Sequence, residues 1–183
     1  MNNSTNVPNL GMIPLLLFSL GVSIFLLSGN AWGYVSDGAY ASFALFSGGL
    51  GSLIAGFWAY RAGNTAGNRF GFVAASALGT FFASSALYHW FFASTAPDAA
   101  MNRAWISLAW MVVFGFLALA SVRVSEIPAP GKVMWFLIFV FFLFRWIGPA
   151  FHLDVALKVE AVTGIIVAIF AMIGGFITLR DVL

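Results

Sequence analysis

Residues 133–149 read VMWFLIFVFFLFRWIGP, a run in which Arg145 is the one charged side chain. As a helix rising about 1.5 Å per residue, it is roughly 25 Å long. That length approaches the roughly 30 Å hydrocarbon core of a bilayer. Only a helix or a closed barrel satisfies its own backbone groups where water is absent. The run lacks the strict alternation of a half-buried strand, so a membrane helix is the reading it supports. Working outward, the same pattern recurs at 10–28, 38–60, 70–92, 104–122 and 156–179. With 62% hydrophobic residues, 8% charged residues and a mean hydropathy of +0.99, nothing remains for a soluble domain. The sequence therefore predicts an all-α polytopic membrane protein, a single six-helix transmembrane domain over residues 1–183.

The connectors carry turn chemistry. Residues 61–69 hold a Gly-Asn-Thr-Ala-Gly-Asn core, and 123–132 hold two prolines and a glycine. No Lys or Arg precedes the first span, so the basic start of a signal peptide is missing and a retained helix is expected. Cysteine is absent, which excludes disulfide and thiolate chemistry. The net charge of +2 comes from eight Lys and Arg spread over several loops. Such a spread makes no nucleic-acid surface; it reports orientation. Arg61, Arg69, Arg123, Lys132 and Arg180 fall on the side of the termini, and Arg103 and Lys158 on the other. This excess predicts cytoplasmic termini in the inner (plasma) membrane.

Small residues cluster in the second span (Ser47-Gly48-Gly49-Leu50-Gly51-Ser52), the third and the sixth. In lipid they allow the close backbone approach on which helix association depends. The phenylalanines of the fifth span (136, 139, 141, 142 and 144) are expected to face mostly lipid or a partner subunit, with a minority plugging a lumen.

The ionisable residues gather at one level. Counted from Val133, Arg145 sits roughly 18 Å into the bilayer. His89, His152, Asp154 and Glu160 are expected in the same outer layer, so the five outline a polar vestibule. Two readings of Arg145 stand: a structural one, in which it snorkels outward along its aliphatic stem or pairs with Glu160 to hold two helices together, and a role in attracting or gating an anion. His89 and His152 lack a third ligand for a metal, although either could sense pH. No nucleophile–base set, zinc-protease motif or phosphate loop appears, so no enzyme is expected and no cofactor is called for.

Two segments together resemble the acetate uptake transporter family, the YaaH-type succinate–acetate permeases. The chain's Asn6-Val7-Pro8-Asn9-Leu10-Gly11-Met12 is similar to that family's Asn-Pro-Ala-Pro-Leu-Gly-Leu signature, without its first proline and with Asn9 at its second. Gly48-Gly49, Ala55-Gly56, Tyr60 and then Gly63-Asn64-Thr65 and Gly67 resemble its second-helix segment. The resemblance implies a hexamer of six-helix protomers, each with its own pore for acetate or similar small monocarboxylates, coupled to protons. It also implies an apolar constriction. Leu15 takes the first-helix position and Phe141 the fifth. The third-helix position, a tyrosine in the family, falls on Ala74 or Leu78 depending on the alignment. A urea- or amide-type channel for neutral solutes and a non-transporting subunit of a larger membrane complex remain open as alternatives.

Overall fold

The computed structural model describes residues 12–92 and 99–180, and every regular element among them is helical. Helix α1 covers Met12–Ala31, α2 Asp37–Phe43, α3 Ser52–Arg61, α4 Ala66–Phe91, α5 Ala99–Arg123, α6 Ala129–Ala150 and α7 Asp154–Arg180. Residues Ala44–Gly51 join α2 to α3 as a π-helix, so these three pieces form one span, Asp37–Arg61. Six helical spans are thus long and apolar enough to cross a membrane. Most extend beyond the expected apolar cores, because polar caps belong to the helices: α4 starts a turn early, at Ala66, behind Thr65.

The second span corrects the expectation of one uninterrupted α-helix. Its widened stretch contains Gly48, Gly49 and Gly51. Wide π turns are rare and cluster where a helix must re-aim side chains. Here three close contacts with neighbouring helices depend on the segment. A Cβ on Gly48 would lie 2.5 Å from both Phe82 Cγ and Ser23 Oγ, one on Gly49 would meet Ala83 Cβ at 3.3 Å, and one on Gly51 would collide with Ser19 Oγ. Gly164 on α7 receives Ser28 of α1 in the same manner. Serines 19, 23 and 28 of α1 therefore sit in glycine notches of the second and sixth spans, as small-residue packing in lipid requires.

An even number of crossings puts the start of α1 and the end of α7 at one face, called the terminal face below; the opposite one is the distal face. The helices form a ring. Helix α1 packs on α7, α7 on α6, and α6 on α5, while α1 also packs on the second span and that span on α4. Between α4 and α5 the backbones stand apart, and aromatic side chains fill the gap: Phe81 meets Trp110 with ring centres 5.5 Å apart and Phe114 at 6.3 Å. Large apolar side chains such as Phe46, Phe57, Phe116, Val155 and Phe176 point outward and are more than half exposed. That inverted surface is what a lipid-facing ring demands.

Candidate functional site

A cavity of about 710 Å³ occupies the ring at the terminal face. The first turns of α1, α4 and α6 and the last turns of α7 bound it. Leu16, Leu17, Ala74, Met134, Trp135 and Ile177 supply an apolar wall. Thr65, Asn68, Glu126 and Thr178 are its hydrogen-bonding and charged members. The motif residues explain this rim. Gly63 has φ +123, a region open to glycine and strained for other residues. Thr65 then caps α4, its Oγ1 accepting from the Asn68 amide at 3.1 Å. Gly67 leaves room for Glu126, whose Cβ would be 3.1 Å from a Cβ placed there. Asn64 is exposed. The other motif residues, Asn6, Pro8, Leu10 and Gly11, lie outside the described residues.

At the distal face a much smaller cleft, about 10 Å³, lies between α4, α5 and α6 beside the Phe81–Trp110 contact. Ser85, Tyr88 and His89 of α4, Arg103 and Ser107 of α5, and Arg145 of α6 line it. Arg145 Nη1 donates to Glu160 Oε1 at 2.5 Å, tying α6 to α7. His89 Nδ1 donates to Asp37 Oδ1 at 2.8 Å, and Asn30 Nδ2 donates to the same oxygen at 3.0 Å. The Tyr40 hydroxyl lies 2.8 Å from Ser85 Oγ, and its ring meets His89 edge-on.

An apolar layer separates the two cavities, and it can be followed along both helices that border them. On α4 the core-facing positions run Ala74, Leu78, Phe81 and Ser85, a 3–4 spacing on one face. The first lines the terminal cavity and the last two the distal cleft. On α6 they run Met134, Ile138, Phe141, Phe142 and Arg145. Leu78, Ile138, Phe141 and Phe142 are all at most 1% exposed. Phe142 is the hub, with ring centres 4.7 Å from Phe81, 4.8 Å from Phe114 and 5.2 Å from Phe141. Such offset and edge-to-face pairs add about 0.5–1.5 kcal/mol each beyond the area they bury.

The expected positions distribute unevenly over this arrangement. Leu78 and Phe141 fall in the apolar layer, and Ala74 on the cavity wall beneath it. Leu15 instead packs against Ala55 and Ala59 of α3; its neighbours Leu16 and Leu17 line the cavity, and Leu20, fully buried, belongs to the core with Leu78. Of the five residues expected in a distal vestibule, His89 and Arg145 share the cleft and Glu160 joins them through Arg145. His152 and Asp154 do not: both are exposed, His152 in the turn after α6 with φ 53 and Asp154 at the start of α7. Position along a sequence brought them near Arg145, but the turn directs them to the surface. The fifth-span rings also face inward more than expected, Phe141 and Phe142 being fully buried and Phe136 exposed. Asp37, Tyr40, Ser85 and Arg103 escaped the sequence reading. Asp37 follows Ser36, a helix cap, and that pairing was the available signal.

The model of the GPR1/FUN34/yaaH family matches residues 6–181. The chain belongs to the GPR1/FUN34/yaaH family. Among solved structures, the bacterial acetate channel SatP superposes with a TM-score of 0.77 at 23% identity, over 94% of this chain and 91% of that one. This GPR1/FUN34/yaaH member therefore shares the helical fold of that channel. No curated protein sequence matches it.

Proposed function

We propose that the chain is a channel or transporter for acetate and similar small monocarboxylates. The observation that carries this reading is the alignment of two cavities along the same faces of α4 and α6, with the apolar layer of Leu78, Phe141 and Phe142 between them. Family membership and the likeness to an acetate channel support it. An apolar layer passes a neutral acid, or an anion that sheds its water briefly, and holds back strongly hydrated ions. Leu20, Leu78 and Phe141 are assigned as the constriction, and coupling to protons follows if the acid crosses in its protonated form. We place the protein in the inner membrane with cytoplasmic termini, on the strength of Arg61, Arg69, Arg123, Lys132 and Arg180, all at helix ends of the terminal face. The outward apolar surface is consistent with a hexameric ring of such protomers.

Labelled acetate uptake into proteoliposomes, with and without an inward proton gradient, tests the reading. Empty liposomes are the reference, because acetic acid crosses lipid unaided. Saturable uptake above that reference is expected, and stimulation by the gradient would establish coupling. Uptake no faster than the reference, from folded protein, rejects the reading in favour of a neutral-solute channel or an accessory subunit.

A further inference from the structure

We infer that the outer face of the α3–α4 hairpin is a binding site for an anionic phospholipid, with Arg61 and Arg69 at its headgroup and Phe57 and Phe72 along its acyl chains. The site is independent of the transport reading above. Helix α3 runs toward the terminal face and α4 away from it, joined by residues 62–65. Phe57, Tyr60 and Arg61 are spaced i, i+3, i+4 and share one face of α3, and Arg69 and Phe72 are spaced i, i+3 on α4. The rings of Tyr60 and Phe72 meet with centres 5.5 Å apart, which joins the two faces into one. All five side chains are exposed.

The order of groups down this wall is that of a phospholipid. Arg61 closes one span and Arg69 lies in the first turn of the next. Each ring sits about one helical turn deeper, Phe57 four residues before Arg61 and Phe72 three after Arg69. Arg61 folds back along the wall, its guanidinium carbon 5.7 Å from the centre of the Phe57 ring. Among the described residues neither arginine side chain makes an ion pair or a hydrogen bond. Lys132, by contrast, already donates to the Val122 carbonyl. A guanidinium offers phosphate oxygens a planar fork of donors. A zwitterionic lipid would bring its own cation beside the two arginines, so a lipid of net negative charge is favoured. A second copy of this chain fits the face less well. It would cover two unpaired charges, and Glu126, the one described acid at the terminal face, lines the cavity instead.

Native mass spectrometry of the full chain, with phosphatidylglycerol and phosphatidylcholine of equal chain length added together, counts the lipids retained per chain. The wild type is expected to keep phosphatidylglycerol in preference to phosphatidylcholine. Arg61→Gln and Arg69→Gln should each lower that preference roughly fivefold, the scale of one basic side chain at an anionic lipid surface. Arg61→Lys, which keeps the charge without the fork, should recover part of it. Arg123→Gln, at the end of α5, should leave it unchanged. Thermal unfolding in detergent verifies that each variant is folded. A wild type that holds both lipids equally overturns the site, as does a folded Arg61→Gln/Arg69→Gln double variant that keeps the preference. An Arg123→Gln variant that loses the preference as fully marks diffuse charge and overturns it too. A double variant whose oligomer dissociates while its lipid count per chain stays unchanged assigns the face to a second copy instead.

Discussion

Arg145 and Glu160 face each other across the α6–α7 contact with 8% and 2% of their surface exposed. Breaking a buried pair from one side leaves the other charge without a counter-ion, which costs about 3–5 kcal/mol in comparable cases. Glu160→Gln is therefore expected to lower stability by several kcal/mol in chemical unfolding from detergent. Replacing both, Arg145→Met with Glu160→Gln, should cost less than either single change. If the double variant is the least stable of the three, the pair is not the contact that matters. The order follows from charge balance: a single change leaves one buried charge unpaired, and the double change leaves none. Arg145→Met alone, read only as a flux variant, would confound transport with folding.

At the scale of the element, the π segment is the informative piece. Gly48→Ala places a methyl against Phe82 and Ser23, an overpacking expected to cost about 1–3 kcal/mol. Gly38→Ala, with nothing within 4 Å of the added carbon, provides the reference: it should be neutral or stabilising by up to about 1 kcal/mol. Thermal unfolding of the two variants side by side checks the contrast. The spans themselves were legible in the sequence because length and hydropathy decide them, and both are local quantities. The π turn was not, since it answers to contacts of Gly48, Gly49 and Gly51 with Phe82, Ser23, Ala83 and Ser19 on other helices, which local composition does not display. The vestibule was legible in half. Arg145 and Glu160 are 15 positions apart on neighbouring helices, so a short hairpin joins them. His89 and Asp37 are 52 apart, and no periodicity links them. Arg103 was read as a mark of orientation because its charge, not its neighbours, is what a sequence displays.

For the whole molecule, the proposed channel reading makes the ring and the layer across it decide what could pass. Leu78→Ala removes a fully buried side chain from that layer and leaves the aromatic hub in place. The variant is expected to lose about 2–5 kcal/mol of stability and to admit longer acids, such as butyrate, more readily than the wild type. Competition of butyrate against labelled acetate in proteoliposomes measures this, and unchanged selectivity in a folded variant would place the route elsewhere. The hub itself, Phe81, Phe114, Phe141 and Phe142, consists of flat plates set at right angles or offset. A plate closes an opening broadside and clears it edge-on, so a quarter-turn of one ring does what a globular side chain achieves only by being displaced. Each ring contact forfeited costs about 0.5–1.5 kcal/mol, comparable with thermal energy. Under the proposed channel reading, such a layer would act as a shutter while the helices around it stand still, and flux through it would then be expected to rise only gently with temperature.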